Sequence, residues 1–125
     1  MKDLHVVGIG NAMVDILASA EDQFLHDSGV EKGIMQLIDM DRAVELYDSI
    51  GPAREISGGS AANSIAAIAQ LGGRTAYGGK VKDDQLGASL AHDLRAQGAI
   101  YETHLAPKDH RDEPGRCIVL VTPDG

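Results

Sequence analysis

The sequence has one cysteine, Cys117, and no tryptophan. A single thiol excludes an internal disulfide and a metal site built on several cysteines, and it suits a reducing, cytoplasmic setting. Aromatic residues make up only 3% of the 125 positions. The interior must therefore come from Ala, Ile, Leu and Val, with close backbone approaches at some of the 15 glycines. That composition suits a layered α/β fold better than a small β-sandwich. No apolar run reaches the roughly 20 residues that cross a bilayer, so no membrane partner is expected. The opening Met1-Lys2-Asp3 also lacks the cationic start and apolar stretch of a secretory signal. Positive charge is scarce: 11 Lys and Arg stand against 19 Asp and Glu, for a formal charge of −8. Such a surface repels phosphate backbones and disfavours a general nucleic-acid binder. The five histidines share no ligand spacing, so no metal site is expected from them.

What remains is 43% hydrophobic and 24% charged, the balance of a globular domain or a piece of one. Leu4 to Ile9 reads as a buried, central parallel strand ended by Gly10-Asn11. Asp15 to Ala20 reads as a second extended piece, Glu21 to Ser28 as a short helix stopped by Gly29, and Gly33 to Ile38 as another strand. Asp41 is placed to cap a helix running to about Ile50, with Ala43, Val44, Leu46, Tyr47 and Ile50 as its apolar stripe. Ser60 is placed to cap a second helix to Leu71, and Gly72-Gly73 ends it. Thr75 to Val81 reads as a strand. Asp84 to Gln97 reads as a helix with Leu86, Leu90 and Leu94 on one face. Ile100 to Leu105 follows as a strand, Ala106 to Arg116 as a polar loop, and Cys117 to Val121 as a last strand with Cys117 in the core. The alternation after Gly58 is that of a parallel doubly wound sheet. Thr122-Pro123-Asp124-Gly125 looks like a hairpin turn with no returning strand, which leads us to expect the front part of a longer protein.

Three motifs carry chemistry. In Ser57-Gly58-Gly59-Ser60-Ala61-Ala62-Asn63, adjacent glycines before a helix let a ligand reach the main chain, because no Cβ stands in the way. The free N–H groups of the first helical turn favour negative or polar groups there. Asn63 adds a donor and an acceptor for hydroxyls. A plain capped turn explains the same spacing. In Gly8-Ile9-Gly10-Asn11-Ala12-Met13-Val14-Asp15, the Gly-x-Gly start raises a dinucleotide fingerprint, but Met13 stands where a third Gly or Ala is needed and extended sequence follows. Asp15, beyond a strand end, is either a turn former or a ligand for polyol hydroxyls. Gly79-Lys80-Val81-Lys82-Asp83-Asp84-Gln85-Leu86-Gly87 reads mainly as a strand end and a capped helix.

Taken together these motifs resemble the PfkB family, the ribokinase-like sugar and nucleoside kinases. Asn63-Ser64-Ile65 and the Gly-Asn-x-x-x-Asp of the first motif look more like the adenosine-kinase branch than ribokinase proper. The resemblance implies a ribokinase-like three-layer α/β/α core with a small β lid, incomplete in this chain, with lid elements at about 16–38 and 117–125. It implies an acceptor held by Asp15, Asn63 and the backbone of Gly58 and Gly59. Asn11 would add a polar contact, and Met13 and Met35 would cover an apolar part of the substrate. Ordinary core methionines account for Met13 and Met35 almost as well. Lys82 departs from the Gly usual in the third motif. In such kinases the catalytic Asp, the anion hole and the site for ATP and Mg2+ lie in the C-terminal half. No Gly-Ala-Gly-Asp element occurs in these residues, so no catalytic residue is expected here and the chain alone is expected to be inactive. An open lid edge offers backbone to a second copy, so a homodimer through the lid is allowed. A non-catalytic sugar- or nucleoside-binding module is the first alternative, and a dinucleotide-dependent oxidoreductase the second.

Overall fold

The computed structural model describes residues 3–104, 106–107 and 115–125. In chain order the elements are β1 (Val6–Ile9), β2 (Met13–Ser19), α1 (Asp22–Asp27), α2 (Met40–Ser49), β3 (Ala53–Gly58), α3 (Ser60–Gln70), β4 (Thr75–Gly78), α4 (Gln85–Ala96) and β5 (Gly115–Val121). The chain divides into two compact units, Met1–Asp15 with Glu55–Cys117 and Ile16–Arg54 with Ile118–Gly125. The division falls within β2, β3 and β5, which form a three-stranded sheet in the order β3-β2-β5. Along β2, Val14, Ile16 and Ala18 are buried, while Met13, Asp15 and Leu17 on the opposite face are half-buried. This is the alternation that a period of two imposes on a strand.

In the first unit β1 and β4 pair in parallel, with Val6 opposite Thr75 and Ile9 opposite Gly78. A parallel pair needs a crossover, and α3 packs against both strands. The core gathers Val14 and Ile65, Tyr77 and Tyr101, and the Leu86, Leu90 and Leu94 stripe of α4. α4 runs as the sequence predicts, and Asp84 caps it by accepting from the Gly87 N–H at 2.8 Å. β1 is not a buried central strand. Its side with Val7 and Ile9 is open, and Ile9 is 84% exposed, because among the described residues β4 is its only strand partner. The expected strand from Ile100 is reduced to isolated bridges, Ala76 with Ile100 and Lys82 with Ala106, and residues 101–104 take no regular structure. The Tyr101 carbonyl accepts from the Arg95 guanidinium at 2.9 and 3.1 Å, so a side chain takes the place of a ladder partner there. Of the expected loop 106–116, residues 108–114 lie outside the described residues, as does Leu105. Cys117 is half-buried in β5 rather than a full core residue.

In the second unit the buried side chains include Ile16, Ala18, Leu25, Ala43 and Leu46. α2 is capped by Asp39, not Asp41: the Asp39 carboxylate accepts from the Arg42 N–H at 2.8 Å, which places Asp41 inside the first turn. The expected strand Gly33 to Ile38 is absent. Residues 31–41 are exposed throughout, so an alternating pattern there has no surface to bury. Lys32 bridges Asp22 and Asp124, each at 2.7 Å. The closing turn forms, with the Gly125 N–H donating to the Thr122 carbonyl at 2.9 Å. No helix among the described residues is long and apolar enough to cross a membrane.

Candidate functional site

β3 was not expected from the sequence, and it delivers the paired glycines. Ala53–Gly58 runs beside β2, so Gly58 arrives next to Asp15. A methyl group on Gly58 would stand 2.6 Å from Asp15 Oδ2 and 2.9 Å from Oδ1. Any side chain at 58 would displace the carboxylate. Gly59 then takes φ +99°, a conformation L side chains rarely adopt, and a Cβ there would lie 2.9 Å from the Asn11 carbonyl oxygen and 3.8 Å from Met13. Gly59, not Ser60, is the residue before α3, and no side chain caps that helix. The Gly59 carbonyl accepts from the Asn63 N–H at 2.9 Å, which puts Asn63 one turn along, with its residue exposed.

The first and third motifs close onto the same corner. A Cβ at Gly10 would lie 2.8 Å from Ala61 Cβ, so the loop after β1 sits directly on the first turn of α3. The Gly10 carbonyl accepts from the Tyr77 hydroxyl at 3.1 Å, and the Gly79 carbonyl accepts from the Tyr101 hydroxyl at 2.6 Å. The two rings lie 6.1 Å apart, inclined by 26°. Burial raises the pKa of both tyrosines, so the hydroxyls remain donors. Neither tyrosine was singled out from the sequence. A sequence signal exists only for Tyr77, which stands two residues before Gly79; Tyr101 lies far along the chain from every motif glycine. Cys117 is also close by on β5. Burial first, and then the negative charge of Asp15, raise its thiol pKa.

The structure thus brings Asn11, Met13, Asp15, Gly58 and Gly59 together by direct contact and sets Asn63 one helical turn beyond them. Met35 belongs to the second unit and is exposed. Asn11 is exposed and Asp15 half-buried. Among the described residues, no side chain or N–H group donates a hydrogen bond to the Asp15 carboxylate, and it joins no ion pair. Lys80 is exposed. An open cleft lined by Ser19, Glu21, Phe24 and Ile50 lies in the second unit and includes none of the motif residues. Among the described residues no three His, Cys, Asp or Glu side chains gather in a metal-holding group.

The fold sets the class first: a ribokinase-like α/β protein, as its match to solved kinases shows. It is similar to the crystal structure of adenosine kinase from Sinorhizobium meliloti, with 50% identity and a TM-score of 0.80 over 95% of this chain and 36% of that one. It is similar also to a probable sugar kinase from Rhizobium etli CFN 42, with 44% identity and a TM-score of 0.76 over 100% of this chain and 37% of that one. Among curated proteins, adenosine kinase 2 of Arabidopsis thaliana is 30% identical over 93% of this chain and 34% of its own length. The family model for pfkB family carbohydrate kinases matches residues 33–125. The chain belongs to that family. It spans about a third of the length of these relatives.

Proposed function

We propose that this chain forms the acceptor-binding part of a kinase that transfers phosphoryl from ATP to a hydroxyl of a sugar or nucleoside. One observation carries the reading. Asp15 presents a half-buried carboxylate with no hydrogen-bond donor among the described residues, pressed against a glycine that has no side chain to fill the space. A carboxylate in that state calls for donors, and the adjacent hydroxyls of a ribose supply two at once. The Gly59 turn and the uncapped start of α3 offer backbone N–H groups alongside. Asn11 and Asn63 add polar contacts, and Met13 gives an apolar wall for a base or a sugar face. A nucleoside is the favoured acceptor, because two of the three relatives above are adenosine kinases.

The described residues hold no three-membered carboxylate, His or Cys group for Mg2+. The contribution of this segment is to bind and orient the acceptor so that its hydroxyl is presented for transfer, which lowers the entropic part of the barrier. The 125-residue chain alone is expected to be inactive.

The test uses the full-length protein. Asp15→Ala should weaken binding of adenosine or ribose about tenfold or more, the effect of losing a charge-assisted hydrogen bond. Unchanged acceptor KM and kcat would remove Asp15 from the site. Acceptor binding without any phosphoryl transfer from ATP would favour the non-catalytic binding module instead.

A further inference from the structure

We propose that Asp93 is a positioning residue of the acceptor site, acting through Ser57. The idea rests on the acceptor reading above and goes one step beyond it. Ser57 is the last residue before the paired glycines. Its hydroxyl donates to Asp93 Oδ2 at 2.7 Å, and its backbone N–H reaches the same oxygen at 3.4 Å. Both residues are half-buried. The bond spans 36 positions and ties the end of β3 to α4.

Three observations favour positioning over simple cohesion. First, Asp93 opens the last turn of α4, where the negative end of the helix disfavours a carboxylate, and Asp is a weak helix former. The helix gains nothing from an acid there. Second, among the described residues the Asp93 carboxylate joins no ion pair, so Ser57 is what it serves. Third, the segment it holds has no slack. The residue after Ser57 leaves 2.6 Å between a would-be Cβ and Asp15 Oδ2, and the next leaves 2.9 Å to the Asn11 carbonyl oxygen. Two glycines in sequence have no side chains with which to hold themselves in place. Their position is set by their neighbours, and Ser57 is the neighbour with a fixed anchor. A shift of well under an ångström would either push on Asp15 or open the corner between Asp15 and α3.

The experiment measures adenosine and ribose dissociation constants, KM for ATP, kcat and Tm on the full-length protein. Asp93→Ala should raise the acceptor Kd about fivefold or more while KM for ATP stays unchanged, because misplacing a binding group acts on the group it positions. Ser57→Ala should do the same, and the double variant should be no worse than either single one, as expected of one shared interaction. Asp93→Asn keeps an accepting oxygen and should restore near-normal affinity. A merely structural bond would lower Tm and leave acceptor Kd alone, which would overturn the proposal. If Asp93→Ala does not fold, Ser57→Ala, which removes a single oxygen, decides the matter in the same way. Asp15→Ala runs in parallel. If it leaves acceptor Kd unchanged, or if wild type binds neither probe, the acceptor reading itself fails. If Asp15→Ala weakens binding and Ser57→Ala does not, only the positioning role fails.

Discussion

The two helices of the first unit begin in opposite ways. α4 starts on Asp84, whose carboxylate accepts the Gly87 N–H, and α2 in the second unit starts likewise on Asp39. α3 starts on Gly59 at φ +99°, and among the described residues no side chain takes up its first N–H groups, although Ser60 stands one residue away. Local energetics favour the first arrangement, since a side-chain cap satisfies a donor that would otherwise need water. The second is costly in conformational terms and leaves the helix start open. The rule is kept at α2 and α4 and broken at α1 and α3, but only α3 breaks it on a glycine at positive φ, and that strained, open start is where we read room for something besides the chain itself. The same corner holds the Asp15 carboxylate, which among the described residues accepts no hydrogen bond and joins no ion pair.

Substitutions at the three helix starts test whether they differ in function as well as in form. Gly59→Ala should have the largest effect. Its φ is unfavourable for Ala, and its Cβ would crowd the Asn11 carbonyl oxygen at 2.9 Å. A loss of about 1–3 kcal/mol is expected in urea unfolding, together with loss of acceptor binding. Asp84→Ala should cost about 1 kcal/mol by the same measurement, with acceptor affinity intact. Weakened acceptor binding in that variant would mean that the two helix starts are not separate in function. The smallest effect concerns α1, which has no side-chain cap and instead carries Asp22, tied through Lys32 to Asp124. The hydrogen bond from Lys32, then that from Thr122, holds the Asp124 carboxyl at about 2, below its ordinary 3.8. A depressed carboxyl contributes stability above the unfolded value of 3.8 and loses it as pH falls through about 2. All three side chains are exposed, so the contribution is small and falls with salt. A carboxyl NMR titration should place Asp124 near 2, and Lys32→Met should return it toward 3.8.

The glycine motifs and the helix that follows Asp84 were legible because their signals are local. Two adjacent glycines, or leucines every four residues, carry their meaning without a partner. What the sequence did not disclose depends on distant partners. Ala53-Arg54-Glu55-Ile56 has little β-branched character and becomes β3 through pairing with β2. Gly33 to Ile38 has the pattern of a strand and finds nothing to pair with among the described residues. Ile100 forms only an isolated bridge to Ala76, a partner 24 positions away, and not the strand its local pattern suggests. The helix caps moved by one or two residues, from Asp41 to Asp39 and from Ser60 to Gly59, because serine and aspartate suit either place and only three-dimensional geometry selects between them. Within the site, the motif residues were visible and their anchors were not. The anchors, Tyr77, Tyr101 and Asp93, act over long sequence separations.

The tyrosine pair has a practical consequence. With no tryptophan in the chain and only three tyrosines, ultraviolet emission comes almost wholly from phenol rings, and two of the three have their hydroxyls bonded to the carbonyls of Gly10 and Gly79. This segment therefore carries its own optical reporter beside the glycine corner, and changes in that corner of the isolated segment can be followed as changes in light, without attaching a dye.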